Sequence, residues 1–322
     1  MKSAKFGVAL AITLTFMFLT STYVSSLHAS DTFEFPSGEV RVTSTTGRTI
    51  GLLSGGVLQI KASELAEANR VFLNVTPSNA RLALKMIGNM SNLEYLSYRS
   101  QVPFNVPQSV LRSLKSLSVE SPFIPHPSSL GKDLEELELK WIESDNDSSW
   151  DAPSLDFSGL SFPNLTRFST IGVEINGVEF IADCPKVEYF DLSSTPASDD
   201  SIDLSIFREL SRVSEIRISG VSISDIGPLS GINSLKNLSL VNCCLKDICD
   251  VIMIPHLEYG DFRENLISSI SCLSSVNDGR RLKIDLRNNP VIQDKAISEV
   301  IVFYGNDELA YPESERRARC LR

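Results

Sequence analysis

Apolar side chains recur along this chain in one short frame: an apolar residue, two others, an apolar residue, one other, and an apolar residue. The frames read Leu93-Leu96-Tyr98, Leu114-Leu117-Val119, Leu134-Leu137-Leu139, Leu165-Phe168-Thr170, Val187-Phe190-Leu192, Val213-Ile216-Ile218, Leu235-Leu238-Leu240, Leu257-Gly260-Phe262 and a weaker Arg281-Ile284-Leu286. A degenerate opening frame, Arg70-Leu73-Val75, starts 23 residues before Leu93. The alternating part of each frame has the period of a strand. The apolar residues that follow, such as Ile223, Ile226, Leu229 and Ile232, have the wider spacing of a tight returning coil. One strand and one coil per unit predicts a solenoid of parallel strands.

Successive frames start 21, 20, 31, 22, 26, 22, 22 and 24 residues apart. These steps lie in or near the window of about 20–29 residues that marks leucine-rich repeats. Asn265 and Asn289 fall just past their strands, where a buried side-chain amide bonds exposed backbone groups of the neighbouring coil. Cys243 holds the same register, and Val221, Thr195, Val173 and Pro122 fill it elsewhere. On these units the chain is identified as a leucine-rich-repeat protein. Its 22-residue units with an isoleucine-rich second half resemble the internalin-like surface and secreted proteins of bacteria. The resemblance runs from Arg70 to Ile297 and implies an α/β solenoid, a horseshoe with a parallel concave sheet and a convex side of coil and short helix. It implies a scaffold and leaves the partner open.

The ends divide the rest. Lys2 and Lys5, the apolar run Phe6 to Leu19 and the small and polar residues after it have the order of a secretory signal peptide over residues 1–29. Left uncleaved, the same segment would be a membrane anchor. Residues 30–68 alternate in short apolar runs with turn signals and read as an N-terminal cap of strands, since a solenoid must hide the edge of its first coil. Residues 69–294 are the repeats. In 295–322, Ile297, Val300, Ile301 and Tyr304 have helical spacing, which predicts a C-terminal cap helix followed by a charged tail.

Charge narrows the partners. Losing Lys2 and Lys5 with the leader moves the formal charge from −10 to −12, so the exported domain is acidic. Nucleic acid and anionic membrane demand clustered Lys and Arg, so neither is expected as a partner. Localisation is expected outside the cytoplasm, secreted or in the cell envelope.

Catalytic chemistry finds little support. His126 and His256 are the histidines left after the leader, and no nucleophile motif accompanies either, so no enzymatic activity is expected. The 31-residue step hides an insertion, Glu143 to Asp151. There Asp145, Asp147, Ser149 and Asp156 match a calcium loop in part, but Trp150 stands where the turn needs glycine; a solvated acidic loop is expected, with no metal and no cofactor. Cys184 occupies a core slot. Cys249 and Cys272 lie on adjacent returning arms, close enough for a bridge, and are expected as free thiols. Asn74, Asn89, Asn146, Asn164 and Asn237 head glycan-acceptor triplets.

The remaining surface is the concave sheet, where residues between the apolar positions face outward. Three tyrosines recur at one lateral position and arginines recur at the strand ends. The candidate partner-binding residues are Tyr95, Arg99, Tyr189, Asp191, Arg217, Tyr259, Asp261, Arg263, Lys283 and Arg287. Tyr and Arg anchor protein interfaces, so a protein partner on this face is the expected function. The alternatives are a self-assembling structural component of an envelope or matrix and a carbohydrate-binding module.

Overall fold

A computed structural model describes residues 32–54, 56–143, 152–193, 201–275, 282–290 and 300–303. The signal segment, the insertion residues 144–151, the turn residue Thr195 and the tail from Tyr304 lie outside these residues. Among the described residues no helix is long and apolar enough to cross a membrane.

The repeats build one 12-stranded sheet. Eleven of its strands, in chain order, are β5 (Ala68–Val75), β6 (Tyr95–Ser100), β7 (Ser116–Glu120), β8 (Glu136–Lys140), β10 (Arg167–Ile171), β12 (Tyr189–Ser193), β13 (Glu215–Ser219), β14 (Asn237–Val241), β15 (Tyr259–Asp261), β16 (Leu282–Asp285) and β17 (Val300–Phe303). Each lies parallel to the next, so Leu238 faces Ile216 on one side and Gly260 on the other. In register, the frame residues Leu96, Leu117, Leu137, Phe168, Phe190, Ile216, Leu238 and Ile284 form one buried row. Among the described residues six units return through a short 3-10 turn, for example Gly227–Gly231 and Cys249–Met253, which bury Leu229 and Val251. Two returns are α-helical instead, Ala80–Ile87 and Gln108–Ser113.

Pairing moves the opening frame. Val71 faces Leu96 and Leu73 faces Tyr98, so the first unit runs Ala68-Val71-Leu73 rather than Arg70-Leu73-Val75. Val71, Leu73 and Val75 are all buried, and a shift of two residues keeps the same face, so alternation alone could not fix the frame.

Within residues 32–61, in the segment where a cap is expected, lie four short strands. β1 (Thr32–Pro36), β3 (Leu52–Ser54) and β4 (Val57–Lys61) make a small antiparallel sheet around Phe33, Phe35 and Ile60. β2 (Val40–Ser44) joins the long sheet antiparallel to β5, ending the parallel stack on that side.

The other end differs from expectation. Val300–Phe303 is strand β17, parallel to β16, and not part of a cap helix. Its run of β-branched and aromatic residues suits a strand, and the open edge of β16 supplies partners, including Leu286 N–H to the Phe303 carbonyl at 2.9 Å. Residues 296–299 of the expected helix lie outside the described residues.

The long 31-residue unit also does more than bulge. β9 (Ser154–Asp156) and β11 (Glu174–Asn176) pair as a second small sheet, and Phe157 enters the core. There it stacks on Phe180 at 4.8 Å between centroids and meets Phe168 edge-on at 5.5 Å. Phe168, Phe190 and Phe207 continue the aromatic spine into the next coils.

Candidate functional site: the concave sheet

Strand alternation places three outward rows on the concave face. The first carries Arg70, Tyr95, Ser116, Glu136, Arg167, Tyr189, Glu215, Asn237, Tyr259 and Lys283. The second carries Phe72, Ser97, Ser118, Glu138, Ser169, Asp191, Arg217, Ser239, Asp261 and Asp285, and the third includes Arg99, Glu120 and Lys140. Eight of the ten candidate residues therefore share one surface, and Arg263 and Arg287 join it through their bonds to Asp261 and Asp285. They do not share one environment.

Toward the C-terminal end the charges satisfy one another. Arg263 makes a forked bond to Asp261, Nε at 2.9 Å and Nη2 at 2.8 Å, and its Nε lies 3.8 Å from Asp285. Arg287 repeats the fork on Asp285, with Nη2 at 2.6 Å. Such planar, two-point pairs hold a guanidinium in one orientation. Burial disfavours the charge on Asp285, yet the bonds from Arg287 and the nearby Arg263 outweigh it, and its pKa lies below the ordinary carboxylate value.

Asp191 and Asp261 were expected at a partner's disposal, but each is only 6% exposed. Asp191 accepts the Tyr189 hydroxyl at 2.9 Å and the Ser193 hydroxyl as well. Tyrosine and arginine side chains on the flanking rows are long enough to close over the short aspartates between strands that lie about 4.8 Å apart. These aspartates orient the neighbouring tyrosine and arginine side chains.

The tyrosine faces are partly occupied too. Arg167 lies 3.6 Å above the Tyr189 ring, with Arg217 at 5.7 Å, and Arg70 lies 4.0 Å above Tyr95. Arg217 also pairs with Glu215. Burial and then Asp191 raise the Tyr189 pKa, and burial with Asp261 and Asp285 raises that of Tyr259. Arg99 and Lys140 converge on Glu120 at 3.6 and 3.4 Å. Lys283 is exposed beside Tyr259.

Toward the N-terminal end the face opens into a groove of about 300 Å³, floored by Ser97, Ser116 and Ser118 and flanked by Phe72, Tyr95, Glu136 and Glu138. Phe72 was absent from the expected set, and it is 46% exposed. Its signal was present, since either opening frame places this aromatic residue at an outward position of the first strand.

Away from the sheet, His126 caps the turn Pro127–Ser129, with Nδ1 facing the Ser128 hydroxyl at 2.8 Å and the Ser128 N–H at 3.3 Å. That is a local turn contact on an exposed stretch. The expected free thiols Cys249 and Cys272 are instead joined by a disulfide, their Cα atoms 5.6 Å apart. The register brings the two returning arms together, which the linear spacing could only approximate. Asp247 lies against this bridge, but sulfurs joined to each other are not thiolate ligands.

No protein-family model and no curated protein matches the chain. Solved structures do. An internalin C2 from Listeria monocytogenes is 22% identical, with 71% of this chain and 92% of that chain covered and a TM-score of 0.47. The leucine-rich-repeat protein LIC12759 of Leptospira interrogans is 14% identical over 64% of this chain and 58% of its own, with a TM-score of 0.40. A plant peptide hormone receptor, RGFR1, solved in complex with RGF2, is 17% identical over 72% and 41% respectively, with a TM-score of 0.46. These likenesses are of fold. With frames, turn rungs and an open parallel sheet all in place, the chain is a leucine-rich-repeat solenoid resembling the internalins.

Proposed function

We propose that this chain is an exported scaffold that binds a protein partner on its concave face and carries out no catalysis. The observation that carries the reading is the ordered track of aromatic and guanidinium groups on that face. Arg263 and Arg287 are already forked onto aspartates, and Tyr189 is held by Asp191 and capped by Arg167. Side chains fixed before contact lose less entropy on binding, and Tyr and Arg are the residue types that dominate interface energies. Export is supported by the leader-like segment and by the Cys249–Cys272 disulfide, since such bonds persist in oxidising compartments.

The test uses the protein purified from its secreted or envelope fraction to capture a partner. Tyr189→Ala with Tyr259→Ala should weaken that partner by roughly 1–3 kcal/mol per site and lower thermal unfolding only by the loss of the Tyr189–Asp191 hydrogen bond. Ser268→Ala with Ser271→Ala, on the returning side, should do neither. Undiminished binding by the double concave variant would remove the concave reading. N-terminal sequencing of the exported protein should find a start between Leu27 and Asp31; retention of Met1 in a membrane fraction would replace export with anchoring.

A further inference from the structure

We infer that the N-terminal groove is a subsite for an extended peptide segment carrying a Lys or Arg side chain and, four residues away, an apolar side chain. This rests on the concave-face reading and names the chemistry the face would select.

The inference starts from an imbalance. Elsewhere on the sheet each carboxylate is answered within the chain: Glu120 by Arg99 and Lys140, Glu215 by Arg217, Asp261 by Arg263, and Asp285 by Arg263 and Arg287. Asp191 is buried under two hydroxyls. Glu136 and Glu138 are the exception among the described residues. They stand two apart on β8, so both project onto the groove, both are exposed, and their partners are the neutral hydroxyls of Ser116 and Ser118 at 2.9 and 3.2 Å. Two like charges side by side on one strand repel each other, and a cation placed between them would relieve that cost.

The groove gives the cation a defined seat. Along the second row the order is Phe72, Ser97, Ser118, Glu138, and then Ser169, which is buried. The two serines leave a trough between an exposed phenyl ring and an unpaired carboxylate. Arg70 and Arg167 border the groove from the first row. Arg70 lies on the Tyr95 ring and Arg167 on that of Tyr189, which keeps both guanidinium groups off the second row. There they suit the carbonyl oxygens of a bound backbone. Phe72 and Glu138 are three strand spacings apart, about 14 Å. An extended chain covers that distance in about four residues, and side chains four apart project to the same side. The occupant is therefore a polypeptide with a basic and an apolar residue at that separation, and the acidic net charge of −10 favours its approach.

Random dodecapeptides displayed on phage, selected on the immobilised protein in EDTA, test this. Selected sequences should be enriched in Lys or Arg with an apolar residue four positions away. Replacing that basic residue with citrulline or norleucine should weaken binding by about 10- to 100-fold, as expected for a lost charge-assisted bond. Glu136→Gln with Glu138→Gln should abolish the enrichment without lowering the thermal unfolding temperature, and Phe72→Ser should abolish only the apolar preference. Failure to select peptides, or the same basic enrichment with the double glutamine variant, overturns the inference. If peptides bind without the basic preference yet are lost on Ser118→Trp, the subsite is wrong and the concave face remains the binding surface. If they survive Ser118→Trp and Tyr189→Ala with Tyr259→Ala alike, both readings fall.

Discussion

The side-chain oxygen of Asn265 accepts the backbone N–H of Cys243, 22 residues earlier, at 2.9 Å, and that of Leu245 at 3.1 Å. Its amide nitrogen donates to the Leu240 and Phe262 carbonyls at 2.7 and 2.9 Å. One buried side chain thus replaces backbone pairing that the turn between strand and return cannot make for itself. Asn289 repeats the arrangement one coil on, toward Ile267 and Phe262. Asn265→Leu strands these groups and should cost on the order of 1–3 kcal/mol. Amide exchange should report it locally, with protection lost first at Cys243 and Leu245; unchanged protection there would refute the rung.

Leu240 and Ser239 separate core from concave face within one strand. Leu240 is fully buried and Ser239 lies outward in register with Arg217 and Asp261. Leu240→Ala should cost about 2–5 kcal/mol by urea unfolding, and Ser239→Ala less than about 0.5 kcal/mol. Equal costs would mean that the strand faces the other way.

Glu264 occupies the left-handed region at φ 58°, in the turn position that Gly220, Asn242 and Asn288 fill in other coils. Glycine enters that region without steric cost and asparagine with little, whereas glutamate gains nothing there. Glu264→Gly should therefore raise stability by about 0.5–1 kcal/mol, measured as a higher urea midpoint at unchanged slope.

Asp285 sets an acid limit. Its folded pKa is depressed, so the stability it contributes is complete above the unfolded carboxylate value, about 3.9, and is lost as pH falls through the lower folded value. Asp285→Asn should be less stable than the parent by the same margin at neutral pH and near pH 5. Below about pH 4 the two should converge; a margin that persists in acid would mean that the ion pair with Arg287 is not its source.

The repeat register was readable because each coil repeats the same burial problem. Leu96, Leu117 and Leu137 must turn inward, and the spacing records it. Asn265 was readable because an amide at a strand exit has few other uses. The ends were not, since they lack a neighbour to repeat against: Val71 and Leu73 fit two frames, and Val300 to Phe303 obey a helical spacing until the free edge of β16 claims them. The concave face was legible as positions but not as an electrostatic surface. Which aspartates are covered, and that Glu136 and Glu138 lack a cation, depends on side chains meeting across strands 20 or more residues apart in sequence.

The Cys249–Cys272 bond gives the molecule a mechanical signature. Pulled from its two ends, a stack of coils held mainly by nearest neighbours should peel one unit at a time, each adding its own contour length. The segment between the two cysteines, which are 23 apart in sequence, is shunted by the covalent bond and adds no length. Under reducing conditions the same pull should release that segment's ~75–80 Å, beyond whatever the further disulfide at Cys244 holds back, so the oxidation state of the fold would be read directly as extension.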